Sequence, residues 1–378
     1  MSVRSVASLG AVAIVVAVGS LPASVAGQTG TAGAKAKKTV ATKTWTPPLT
    51  PYGQPDLQGV WSNNSVTPLE RPQALEGRTF LTDEEVRQLK ARADRLFKSG
   101  ENDFIAGDNV FLAALADLEQ YKNPNATGGS AEMAAWEFDN RTSLITDPPD
   151  GKIPPLTPEA RQRQAAVAAA NFGVPWQPGL DPAEQQRRAA AAAAGRRLPA
   201  GPEDLSNALR CITWGVPKLG GNAAYVSHYQ ILQAPGYVVV VSEVIHEARI
   251  IPLDGRPPLP RSIQQWNGDS RGRWEGNTLV VETGNFSAKS YFMGSTENLR
   301  LMERFTRTAP DMIDYEITLN DSTTWTKPWT AVIHLKQSQD QIYEFACHEG
   351  NNQTMAGMLS GARAEEKAAE EAAKVGPK

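Results

Sequence analysis

Four ionisable side chains stand inside apolar, strand-like runs, and they are where chemistry would begin. Period-2 alternation sets Glu243 on one face with Val239, Val241 and Ile245. Glu303 shares a face with Leu299, Leu301 and Phe305, and Glu282 shares one with Val280. His334 shares a face with Val332, opposite Ala331, Ile333 and Leu335. Residues two apart in a strand point the same way, so these groups are expected in an interior. A buried carboxylate is costly unless paired. It needs either an arginine, such as Arg249, Arg273 or Arg304, or a polar pocket that shifts its pKa. If two or more converge, Glu243 and Glu303 form an acid–base pair assisted by His246 or His334. That constellation fits a hydrolase, lyase or isomerase. His228, Arg249, Glu282, Trp266 and Trp325 are the expected ligand contacts, the tryptophans as stacking surfaces for a sugar or an apolar ring. For each residue the alternative is an ordinary ion pair, a solvent-facing position or core packing.

Other chemistries find no support. The chain holds no phosphate loop and no dinucleotide fingerprint. His246-Glu247 begins like a zinc-protease motif, but Ile250 stands where the second histidine belongs. The four histidines, His228, His246, His334 and His348, would have to supply any metal site together with carboxylates. No metal ligands are assigned, and no cofactor is specified. The formal net charge is −3 over 378 residues with no basic cluster, which argues against a nucleic-acid partner.

The elements that must position these residues are mostly strands. Tyr237–Ile245, Leu279–Thr283, Leu299–Thr308, Met312–Leu319, Trp329–Lys336 and Ile342–Cys347 are rich in β-branched and aromatic residues, with Gly, Pro, Asn and Asp between them. Ala234-Pro235-Gly236, Glu275-Gly276-Asn277 and Ala309-Pro310-Asp311 are hairpin signals, so the strands form an antiparallel meander. The fold is expected to be mainly β with a helical insertion (α+β), either an antiparallel barrel or a β-sandwich. One domain spans residues 51–352, with the insertion at about 82–210 and a charged helical tail at 353–378. Within the insertion, Thr82-Asp83-Glu84-Glu85 reads as a capping box that opens a helix over Asp83–Lys98. A second helix is expected over Asn109–Tyr121, and Thr157-Pro158-Glu159 starts another. The Ala-rich runs near Ala165 and Ala189 read as surface helices.

Residues 1–26 have the layout of a secretory signal: Arg4, an uncharged apolar stretch from Val6 to Gly19, and small residues at Ser24 and Ala26. The apolar stretch is shorter than the roughly 20 residues of a membrane span; an uncleaved anchor is the alternative. Residues 27–50 read as a flexible linker. Export implies a periplasmic or secreted protein with no transmembrane segment after cleavage. In that oxidising setting the two cysteines, Cys211 and Cys347, could form a disulfide. Two buried free thiols are the other possibility.

Two Gly-x-Trp units, Gly59-Val60-Trp61 and Gly272-Arg273-Trp274, accompany the meander. This resembles the lipocalin-like (calycin) barrels, in which Gly-x-Trp opens the first strand and the tryptophan plugs the barrel base. Arg273-Trp274-Glu275-Gly276-Asn277-Thr278-Leu279-Val280-Val281, Glu303-Arg304-Phe305-Thr306-Arg307, Thr326-Lys327-Pro328-Trp329-Thr330 and Ala346-Cys347-His348-Glu349-Gly350-Asn351 also resemble a large group of exported bacterial proteins, mostly uncharacterised. That likeness spans about Pro51 to Gly361 and implies export and a β-rich fold, with no activity attached. The sequence therefore points to an exported protein that binds a small organic or carbohydrate ligand, or acts on it by carboxylate/histidine chemistry. A non-catalytic carrier of apolar ligands and an interaction module of the cell envelope are the alternatives. Oligomeric state is not specified.

The first test concerns export. N-terminal sequencing of the exported protein is expected to find a terminus next to Ala26. An intact Met1 on the mature species would remove that expectation.

Overall fold

The computed structural model describes residues 45–97, 107–118, 136–163, 199–217, 219, 228–290 and 292–375. The expected signal and nearly all of the linker lie outside these residues, as do the Ala-rich runs. The described chain from Trp45 onward is one unit, mainly β. Its strands are β1 Gly59–Ser62, β2 Ile145–Asp147, β3 His228–Ala234, β4 Tyr237–Ser242, β5 Ala248–Pro252, β6 Asp269–Glu275, β7 Thr278–Gly284, β8 Arg300–Ala309, β9 Met312–Asn320 and β10 Trp329–Ser338. They make one antiparallel sheet in the order β5-β4-β3-β1-β10-β9-β8-β7-β6, with β2 also paired to β10. The ladder is not closed: β5 and β6 are its two edges.

Turn chemistry sets the register. Ala234 pairs with Tyr237 across a two-residue turn, Pro235-Gly236. Proline fixes φ at the first turn position, and Gly236 takes a φ of 77° at the second, where a side chain would be strained. The ladder that follows pairs Ile231 with Val240 and Tyr229 with Ser242. The inner row of β4 is therefore Val238, Val240 and Ser242, not Val239 and Val241. Four successive valines carry no alternation, so the turn decides, and one residue of shift exchanges the faces. Strand β4 also ends before Glu243, whose φ and ψ of −57° and −45° are helical.

Elsewhere alternation places the core as expected. Leu301, Glu303 and Phe305 on β8, Ile313, Tyr315, Ile317 and Leu319 on β9, and Ala331, Ile333 and Leu335 on β10 are all buried. The sheet curls around this core. Gly272 on β6 passes so close to Ile251 on β5 and to Leu253 just beyond it that a Cβ there would lie 2.8 Å and 2.6 Å from their side chains. Trp61 of the first Gly-x-Trp is fully enclosed; its indole N–H donates to the Leu57 carbonyl at 2.9 Å, and the Arg307 guanidinium lies 5.3 Å from its ring centre. Trp274 of the second unit sits towards the end of β6, partly buried against the core.

The insertion builds a second, smaller core. Helix α1, Asp83–Phe97, opens on the expected capping box: Thr82 N–H donates to Glu85 at 2.8 Å, and Glu85 N–H to the Thr82 hydroxyl at 3.3 Å. These bonds and the one from Arg78 hold the Glu85 carboxyl down to about 2. Leu89, Ala93, Leu96 and Phe97 of α1 pack on Val110, Phe111 and Ala114 of α2, Gly107–Leu115. Residues 158–163 are helical after Thr157, whose hydroxyl caps the Ala160 N–H at 3.1 Å. The tail is helix α3, Asn351–Val375. Among the described residues no helix is long and apolar enough to cross a membrane.

Cys211 and Cys347 are joined, with their Cα atoms 5.8 Å apart. The bond ties the segment before β3 to the segment between β10 and α3, across 136 positions of sequence. Closing so long a loop in the unfolded chain corresponds to about 4–5 kcal/mol in the chain-entropy picture. Replacing both cysteines by serine is expected to lower unfolding stability by about 2–5 kcal/mol in a urea titration. An unchanged midpoint would mean that the bond does not restrain the unfolded chain.

Candidate functional site

The inner rows leave a cavity open on one side. Its apolar walls are Ile231 on β3, Val240 on β4, Phe305 on β8 and Leu335 on β10. Tyr229, Tyr315 and Arg249 add polar atoms from β3, β9 and β5. Gly215–Pro217, Ser242, Glu247 and Asn267 complete the lining from the segments where strands begin and end. The space open to the centre of a water molecule is about 40 Å³. A single water needs roughly 10–15 Å³ by that measure, so the enclosed space accommodates several waters, and a ring-sized ligand would extend through the open side.

One ion pair lies against this cavity. Arg249 Nη1 donates to Glu303 Oε2 at 2.7 Å, and Nη2 to Oε1 at 2.8 Å. The Tyr315 hydroxyl donates to Glu303 Oε1 at 2.5 Å. Glu303 is fully buried, and 12% of the Arg249 side chain is exposed. The planar guanidinium matches both carboxylate oxygens at once, the geometry that best offsets the cost of removing the charges from water. Burial alone would lower the Arg249 pKa; the Glu303 charge and hydrogen bonds outweigh it, and the net shift is upward. Burial raises the Tyr315 pKa well above its ordinary value, and the Glu303 charge adds to this. Burial also raises that of Tyr229, with Arg249 opposing and Glu303 reinforcing. Both phenols therefore stay protonated and act as donors.

A second polar chain borders the cavity. Asn267 Nδ2 donates to Glu247 Oε1 at 3.1 Å, and the Thr213 hydroxyl donates to Asn267 Oδ1 at 2.8 Å. These bonds fix the amide between a loop hydroxyl and a carboxylate.

Of the residues read from the sequence as site candidates, Arg249 lines the cavity and Glu303 sits behind it, bonded to two lining residues. Glu243 and His228 form a separate pair, with His228 Nδ1 3.0 Å from Glu243 Oε2 and the His228 backbone N–H donating to the same oxygen at 3.2 Å. Neither lines the cavity. His334 is on the outer face of β10, 2.7 Å from Asp314 Oδ1. Glu282 is exposed on β7 and paired with Arg273 at 2.5 Å. Its row-mate Val280 stands between Arg273 and Arg304 in the ladders, so the outer face shields this valine with arginine stems. Trp325 is core, packed edge-on to Trp329 with ring centres 5.6 Å apart. Trp266 is half-buried beside the cavity residue Asn267 and does not itself line the cavity. His246 falls in a short turn, and its side chain lies outside the described residues. Among the described residues no three His, Cys, Asp or Glu side chains are grouped to hold a metal ion.

Tyr229, Tyr315, Glu247 and Asn267 were not singled out from the sequence. Tyr229 alternates with Ile231, and Tyr315 with Ile313 and Ile317. A phenol in such a row reads as ordinary core until its hydroxyl's partner is known.

Removing one member of a buried pair leaves the other charge uncompensated. Glu303→Gln is therefore expected to lower stability by about 3–5 kcal/mol. Replacing both partners with apolar residues, Arg249→Met with Glu303→Leu, should recover most of that loss. Urea unfolding of the three proteins checks this. A double variant no better than Glu303→Gln would show that the pair has no such coupling.

No family model matches the chain, and no curated protein matches it. Among solved structures the chain is similar to a crystal structure of a mutant of the fluorescent protein UnaG, at 14% identity, over 35% of this chain and 87% of that one. The TM-score is 0.20, too low to carry an argument about fold or ligand.

Proposed function

We propose that this chain is an exported binding protein for a small organic molecule. On this reading its sheet is a lipocalin-like meander, rolled up with an open seam between β5 and β6. The observation that carries the proposal is the cavity itself: aliphatic and aromatic walls with a few convergent polar groups, the usual make-up of a small-molecule site. Binding is favoured over acid–base catalysis because both carboxylates expected to react are already engaged, Glu303 by Arg249 and Tyr315 and Glu243 by His228. A small organic ligand is favoured over a sugar because neither Trp266 nor Trp325 offers a stacking surface in the cavity. The Cys211–Cys347 bond supports an oxidising compartment.

Thermal-shift titration with single-ring aromatic compounds tests the proposal. A ligand at about 100 times its Kd stabilises the folded state by about 2.7 kcal/mol, which is readily seen as a raised Tm. Val240→Phe fills the cavity from its β4 wall and is expected to weaken binding at least about tenfold while the protein still melts cooperatively. If no compound in the panel raises the Tm of the native protein, the binding reading fails.

A further inference from the structure

Tyr229 and Arg249 both carry donors without an acceptor among the described residues. The Tyr229 hydroxyl makes no hydrogen bond among the described residues, although 9% of the residue is exposed and it lines the cavity. The Nε–H of Arg249 is likewise without an acceptor, because Glu303 accepts only one N–H from each Nη. Neither atom is sealed within the protein, so both are open to what enters the cavity. Water serves such open donors, and a bound acceptor in the right place would take its position.

The charges around these donors narrow the choice. Arg249 is the only cationic side chain among the described lining residues. It faces two carboxylates, Glu303 in the bidentate pair and Glu247 in the cavity wall. One cation against two carboxylates leaves no positive charge for an anionic ligand. A third carboxylate would meet repulsion that the low-dielectric walls screen poorly. An alcohol could accept from both donors, but its own hydroxyl proton would then have to reach Glu247, whose Oε1 already accepts from Asn267. A carbonyl oxygen has two lone pairs and brings no donor.

We propose that the cavity selects uncharged carbonyl compounds, with Tyr229 O–H and Arg249 Nε–H donating to the carbonyl oxygen, and discriminates against organic anions. This deepens the binding reading and rests on it.

A matched series separates the two. Acetophenone, ethylbenzene and benzoate share one aromatic ring and differ in having a carbonyl, neither oxygen nor charge, or a carboxylate. Isothermal titration calorimetry on the full chain is expected to show acetophenone binding about tenfold more tightly than ethylbenzene, the scale of one well-made hydrogen bond. Benzoate should bind at least about tenfold more weakly than acetophenone. Tyr229→Phe should bring the acetophenone-to-ethylbenzene ratio towards one. If that variant does not fold, the native protein's own three affinities still decide. Benzoate as the tightest ligand, or equal binding of acetophenone and ethylbenzene, overturns the carbonyl proposal and leaves the binding reading standing. No binding by any of the three, together with an empty thermal-shift panel, removes the binding reading itself.

Discussion

Arg249 on β5 and Glu303 on β8 meet through two hydrogen bonds, although β4, β3, β1, β10 and β9 lie between their strands in the sheet. That contact exists only when the sheet has curled until its inner face encloses the core. The pair need not add net stability, because taking two charges out of water costs nearly what their attraction returns. Its effect is asymmetric. Any arrangement that keeps one partner inside without the other strands a charge among Leu301, Phe305 and Tyr315. The pair therefore penalises incorrect curling more than it rewards correct curling, and it fixes which two distant strands come together.

The rest of the inner face is consistent with that constraint. Tyr315 adds a third bond to Glu303, and its ring stacks on Phe305 with centres 4.4 Å apart. The ion pair is thus held by packing on one side and by a phenol on the other. The disulfide works on a different scale. It leaves the pair untouched but shortens the unfolded chain's excursions between the segment before β3 and the segment after β10. Six of the nine ladders in this sheet join consecutive strands, whereas β1 pairs with β3 and β10 across long stretches of chain. Those distant pairings carry the largest loop-closure cost, and the cross-link lowers it for β1 with β10 by shortening the path between them through Cys211 and Cys347.

Much of this was legible in the sequence where local chemistry decides the outcome. The capping box at Thr82 and Glu85, the turns at Pro235-Gly236 and Gly276-Asn277, and the alternating row around Glu303 each depend on residues close in sequence. Failures came where the deciding fact is distant or degenerate. A run of four valines in β4 does not say which pair faces inward; the hairpin does, and it ends the strand before Glu243. Period 2 puts Glu282 on one face with Val280 and His334 with Val332, but not which face is inside. Both are outside, paired with Arg273 and Asp314. Closure of the sheet is likewise a global property. The meander is plain in the strand and turn pattern, but hydrogen bonding between β5 and β6 depends on how far the sheet twists. Here it stops at side-chain contact.

The constraint that shapes the core also shapes the cavity. Glu303 takes one N–H from each Nη of Arg249 and offsets its charge, so the residue that looks most suited to hold an anion has little charge to offer one. Three of its five N–H donors, the Nε–H among them, are left outside that pair, on a residue that lines the cavity together with Tyr229. Burial keeps that phenol protonated, so its role as a donor does not change over the ordinary pH range. The cavity thereby carries donors but no uncompensated positive charge, a consequence of an ion pair whose first effect is on the fold. A protein that needed an arginine to capture carboxylates would do better without Glu303. Keeping the carboxylate gives up that electrostatic attraction and retains directional hydrogen-bond donors on a lining residue.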